Sequence, residues 1–118
     1  MVDIRVARVY DEPEPESRYR VLVDRLWPRG IKKEALAYDE WDKNVAPSPD
    51  LRKWFGHEPE RFDEFTNRYR QELDESDAPQ QLLEAAGTRD ISLLIAAKDH
   101  QHNHGIVLRD YLREVAAD

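Results

Sequence analysis

Two short runs hold most of the residues equipped for chemistry. The first is Asp24-Arg25-Leu26-Trp27-Pro28-Arg29-Gly30-Ile31-Lys32-Lys33, where Pro28 and Gly30 stiffen and sharpen a loop that can aim guanidinium groups at one point. A guanidinium is a planar fork that meets carboxylate or phosphate oxygens two at a time, which makes Arg25 and Arg29 candidate anion ligands. The second run is Lys98-Asp99-His100-Gln101-His102-Asn103-His104, and it leads into an expected helix whose free amides and positive dipole end favour a bound anion. Lys98 and Asn103 are the candidate contacts from this side. His104 is the candidate acid–base group, because an imidazole exchanges protons near neutral pH, and Asp99 lies close enough in sequence to orient it.

Three further features invite a chemical reading and also have a plainer one. Ser48 sits before Pro49 and Asp50 at an expected helix start, so it is first a cap and only then an exposed anion contact. Trp27 offers a stacking platform for a planar ligand, although a tryptophan in a small domain more often packs the core or its rim. The alternation His100, His102, His104 would suit a metal ion if the segment were extended with all rings on one side. With no cysteine, and Asp99 as the one carboxylate nearby, the expectation is no metal and no cofactor.

These groups need a scaffold, and the chain has room for one. Its 118 residues fit one ordinary domain spanning 1–118, and 40% hydrophobic residues supply a core that needs no disulfide. The absence of cysteine excludes thiolate chemistry and leaves the cytoplasm as the expected location. No apolar run approaches a membrane span, and Asp3, Arg5 and Arg8 stand where a signal peptide would be apolar. The net charge of −7 opposes duplex nucleic acid as a partner. The segment from Arg18 to Lys33 nevertheless carries six basic residues against one acid, Asp24, which favours a small anionic ligand. A protein partner or a homodimer stays open.

The elements follow from periodicity and punctuation. Residues 4–10 and 21–23 read as strands, with an exposed loop over 11–17 between them, and 91–97 reads as a central strand buried on both faces. Residues 32–45 fit either a helical turn or an irregular cover. Helices are expected from Pro49 to Phe55 with Gly56 as the stop, from Pro59 through Phe62, Phe65, Tyr69 and Leu73, from Pro79 to Ala86 before Gly87, and from about Asn103 onward. The fold class is therefore α/β: a small, mostly parallel sheet of about three strands or a little more, with helices on both faces. The connection between the first two strands is short for a right-handed crossover, so that one pairing is open to an antiparallel arrangement.

The run from Tyr19 to Lys33 resembles the YeaO-like branch of domain-of-unknown-function family 488 (DUF488). The resemblance continues through Arg8-Val9-Tyr10-Asp11, Asp39 to Lys43, Ala46-Pro47-Ser48, Leu51 to Phe55, Ala96 to Asp99 and Asn103-His104, nearly the whole chain. It implies a compact α/β domain and carries no reaction with it. Other branches look as though they place a cysteine-histidine-arginine motif where this chain has Asn103-His104-Gly105, so thiol chemistry in those branches has no counterpart here. Some relatives bear a porphyrin methyltransferase label, which does not suit a chain this small without a glycine-rich cofactor loop.

Three functions fit these residues. The first is a crevice for a phosphate- or carboxylate-bearing ligand at strand C-terminal ends, with His104 and Asp99 available for acid–base work. The second is a non-catalytic module for a nucleotide or single-stranded nucleic-acid end. The third is a structural or protein-interaction domain in which the charges only form ion pairs.

Overall fold

The computed structural model describes residues 2–11 and 18–117. Its centre is the strand that the apolar run 91–97 foretells. β4 (Ile91–Ile95) is buried along its whole length and pairs in parallel with both β1 (Ile4–Arg8) and β2 (Tyr19–Leu22). A two-residue β3 (Glu40–Trp41) extends β2, also in parallel, giving the order β1-β4-β2-β3. The expected α/β class holds. The question of an antiparallel first pairing is resolved by topology: β1 and β2 are not neighbours, because the last strand inserts between them. The loop expected over 11–17 lies, for residues 12–17, outside the described residues.

Four helices cover one face of this sheet. α1 (Pro49–Phe55) starts on Ser48, whose Oγ accepts from the Leu51 amide, and stops at Gly56 in the left-handed conformation that glycine adopts freely. A short 3₁₀ turn, Pro59–Arg61, leads into α2 (Phe62–Asp74), whose Phe65, Tyr69 and Leu73 face inward as their spacing requires. α3 (Ala78–Ala86) and α4 (His104–Ala117) complete the layer. Their apolar stripes meet Ile4, Val21, Ile91, Leu93 and Ile95 in one cluster.

The other face is covered differently. Leu22, Leu94 and Val9 lie beneath Trp27, Ile31, Leu36 and Tyr38 from the irregular stretch between β2 and β3, and beneath Trp41 of β3 itself. Among the described residues this cover contains one 3₁₀ turn, Lys33–Ala35, and no α-helix, so the expected helices on both faces are replaced by aromatic packing on one of them. The physical reason is edge-to-face contact: the Trp27 ring packs against Tyr38 and Trp41 at 5.6 and 5.4 Å, filling the layer without a periodic stripe. No helix among the described residues is long and apolar enough to cross a membrane.

The N-terminus of α4 is pressed against the sheet at Gly105. A Cβ built there would lie 3.0 Å from Ile95 Cγ2 and 3.1 Å from both Val6 Cγ1 and Asn103 Oδ1. Two of those neighbours are β-branched strand side chains with little freedom to yield. Gly105→Ala should therefore destabilise the domain by about 1 kcal/mol, the roughly 1–3 kcal/mol of overpacking outweighing the better helix propensity of alanine. Urea denaturation of the two proteins reads this difference, and an equal or higher midpoint in the variant would show that the approach is looser than described.

Candidate functional site

The chain following β2 and the chain following β4 meet above the sheet, as strand-end clusters in an open α/β sheet should. Between them lies a crevice of about 310 Å³ whose wall includes Tyr10, Asp24, Arg25, Trp27, Arg29, Ala96, Ala97 and His104, together with Pro47, Arg52 and His57. Both candidate runs thus contribute to one site.

Asp24 organises it. One carboxylate oxygen accepts the Ala96 amide at 2.9 Å, fixing the chain just beyond β4, and the other stands 2.9 Å from Nε2 of His104. That same Nε2 is 3.1 Å from the Val23 carbonyl oxygen. Both neighbours are acceptors, so the ring carries its hydrogen on Nε2 and leaves Nδ1 without a hydrogen-bond partner among the described residues. The residue behind His104 is therefore Asp24 and not Asp99. Asp99 instead closes its own turn, accepting from the amides of Gln101 and His102 and from His102 Nδ1 at 3.0 Å. The Gln101 amide first, and His102 after it, hold the Asp99 carboxyl below the ordinary aspartate value.

The remaining expected residues divide between wall and frame. Arg25 donates to the carbonyls of Pro47 and Ala46 at 3.3 and 3.4 Å, which aims its guanidinium across the crevice without neutralising it. Arg29 is exposed on the wall, and its backbone carbonyl receives the Tyr10 hydroxyl. Asn103 is buried and caps α4, its Oδ1 accepting from the Ile106 amide while Nδ2 donates to the Asp99 carbonyl. Ser48 is likewise a cap, and its Oγ also donates to Glu72 Oε2 at 2.6 Å. Trp27 borders the crevice, donates from Nε1 to the Ile31 carbonyl and packs edge-to-face into the aromatic cover with Tyr38 and Trp41. Lys98 is exposed and stands outside the crevice wall. No group of three metal-binding side chains occurs among the described residues, so His100, His102 and His104 do not together form a set of metal ligands there.

Two wall residues were not foreseen. Arg52 and His57 come from α1 and the turn after it, and their only signal was the Gly56 stop that bends the chain back. His57 follows with φ of 58°, a left-handed conformation that costs a side-chain-bearing residue on the order of 1 kcal/mol. α2 holds this edge in place: Glu72 receives both the amide and hydroxyl of Ser48, and the buried Tyr69 hydroxyl donates to the Val45 carbonyl. Burial pushes that hydroxyl well above the ordinary tyrosine value, so it stays a donor.

The charge arrangement differs between the two ends of the sheet. At the N-terminal ends Asp3, Asp39 and Asp90 precede β1, β3 and β4, and they neutralise Arg5, Arg18 and Arg89 at 2.9 to 3.7 Å. At the C-terminal ends Arg25, Arg29 and Arg52 have no carboxylate partner among the described residues.

Fold and site together define a small α/β domain with an arginine-lined crevice at strand ends. A family model described as the inactive DUF488-N3 subclade matches residues 3–118, and the chain belongs to the DUF488 family. It is 44% identical over 115 residues to the uncharacterised protein YeaO of Escherichia coli strain K12, covering 97% of this chain and 100% of that protein. It is also 44% identical over 109 residues to the uncharacterised protein Rv3073c of Mycobacterium tuberculosis strain H37Rv, covering 92% of each chain. No solved structure matches.

Replacing Asp24 tests the organisation described here. Asp24→Ala leaves the Ala96 amide without its acceptor and the His104 ring with the Val23 carbonyl alone, which should cost about 1–3 kcal/mol in denaturant unfolding. In the parent protein, nitrogen NMR of the neutral His104 ring should show the hydrogen on Nε2. A ring protonated on Nδ1 would contradict the geometry.

Proposed function

We propose that this protein binds a small anionic ligand in the crevice above β2 and β4 and does not turn it over. The observation that carries the reading is the contrast between the sheet's two ends. Cations at the N-terminal ends are neutralised by aspartates, whereas Arg25, Arg29 and Arg52 on one crevice wall have no carboxylate partner among the described residues. Three guanidinium groups on one crevice wall outnumber the Asp24 carboxylate, which is engaged by the Ala96 amide and His104, and a bound anion offsets the excess positive charge. Arg25 is held by carbonyl oxygens, which orient the fork and leave its charge for a ligand.

Binding without turnover is favoured by the free nucleophile that the crevice lacks. The chain has no cysteine, and Ser48 is engaged as a cap and with Glu72. The matching subclade is described as inactive, which agrees. A base-stacking module for nucleic-acid ends fits less well, because Trp27 is packed among Tyr38 and Trp41.

Calorimetric titration with inorganic phosphate, sulfate and acetate tests this reading. Arg29→Ala and Arg52→Ala should each weaken phosphate binding about 10-fold or more, since a hydrogen bond to a charged group contributes roughly 1.5–3 kcal/mol. Lys98→Ala should change it less than about twofold, because that side chain lies off the wall, and binding should weaken as salt is raised. Failure of all three anions to bind, or equal loss in all three variants, would overturn the proposal.

A further inference from the structure

The crevice has an inner end. Pro47, Arg52, His57, Ala97 and His104 border both the 310 Å³ crevice and a smaller compartment of about 80 Å³, which Phe55, Phe65 and His102 help to close. That smaller space has the room of about two or three waters, and the outer one that of about ten. Phe55 and Phe65 stack on each other at 4.4 Å and are 6% and 1% exposed, so they form a floor and not a platform for a nucleobase.

The polar walls of this inner space are Arg52, His57, Asn103 and two further imidazoles, His102 and His104, each of these two backed by its own carboxylate. His102 Nδ1 stands 3.0 Å from Asp99 Oδ2, so the hydrogen sits on Nδ1 and the neutral ring keeps a lone pair on Nε2. His104 is the mirror case, with its hydrogen on Nε2 and a lone pair on Nδ1. Neither lone pair has a hydrogen-bond partner among the described residues. A small compartment that offers ring-nitrogen acceptors beside the Arg52 donor calls for a group that both donates and accepts, and a hydroxyl group does both and fits its volume.

The outer end narrows the other half of the ligand. Three guanidinium groups offer more donor directions than the two oxygens of a carboxylate can use, whereas the three non-bridging oxygens of a phosphomonoester match them. We infer that the ligand is the phosphomonoester of a short polyol, of the sugar-phosphate class. Its phosphate lies among Arg25, Arg29 and Arg52, and a hydroxyl at its far end sits between His102 and His104. This rests on the anion-binding reading of the crevice and adds the identity of the uncharged end.

The test is calorimetry on the full chain at pH 8, where free imidazole is neutral, with inorganic phosphate, propyl phosphate, glycerol 3-phosphate, ribose 5-phosphate and adenosine monophosphate. Glycerol 3-phosphate or ribose 5-phosphate should bind at least fivefold more tightly than propyl phosphate. His102→Ala and the bulk-preserving His102→Phe should shrink that gap below twofold while leaving inorganic phosphate affinity unchanged. Propyl phosphate binding as tightly as either polyol ester, a gap that survives both His102 variants, or adenosine monophosphate binding more tightly than ribose 5-phosphate would overturn the inference. Absence of any phosphate binding would overturn the anion reading beneath it, whereas phosphate binding with no gain from hydroxyls overturns this inference alone.

Discussion

A single carboxylate joins the parts of this molecule that matter most. Asp24 follows β2, its Oδ2 takes the amide just past β4, and its Oδ1 takes the imidazole that begins α4. Two distant parts of the chain, the end of β2 and the stretch from the end of β4 to the start of α4, are thereby fixed at one point, the place where the sheet gives way to the crevice. Both groups are largely buried, with side chains 14% and 16% exposed, so their hydrogen bond is shielded from the competition with water that weakens exposed pairs. The sheet depends on the same junction, because β4 has neighbours on both sides and its end must be held where β2 ends.

The legible parts of the fold were those written in local chemistry. Ser48 and Gly56 bracket α1, the steps Phe62, Phe65, Tyr69 and Leu73 mark α2, and the unbroken apolar run marks β4, because capping and periodicity act within one or two turns of the chain. Strand order was not legible, since a buried strand shows the same residues whichever neighbours it takes. The cover over the second face was also hidden: Trp27, Tyr38 and Trp41 meet through ring geometry, which leaves no repeat in the sequence.

The site shows the same division. Both polar runs were visible as candidate walls, and the structure brings Arg25, Arg29 and His104 together. The partner of His104 was missed because sequence distance favoured Asp99, five residues away. In a turn of that length, however, an aspartate satisfies the nearest free amides first, and Asp99 does so with Gln101 and His102. Arg52 and His57 entered the wall only through the path of α1 across the sheet, which no local pattern encodes. Asn103 and Ser48 were sound as exposed-end candidates by type, yet the need to cap α4 and α1 takes both side chains.

The asymmetry of charge along the strands explains how an acidic protein keeps a cationic crevice. With a net charge of −7, random placement of carboxylates would neutralise most arginines. The excess acid is instead directed to the N-terminal ends of the strands and to the outer helix surfaces, where Glu64 pairs with Arg68 and Glu114 with Arg70. At the C-terminal ends the one carboxylate on the crevice wall among the described residues, Asp24, is oriented toward an amide and an imidazole. Arg25 is bound by carbonyl oxygens that hold its position but carry no net charge. Local positive potential in such a crevice survives an acidic body because charges separated by more than a Debye length, about 8 Å at physiological salt, are screened. The acidic body then acts on what can approach: a long polyanion meets repulsion along its length, whereas a ligand small enough to lie within the crevice meets a wall on which the arginines outnumber Asp24.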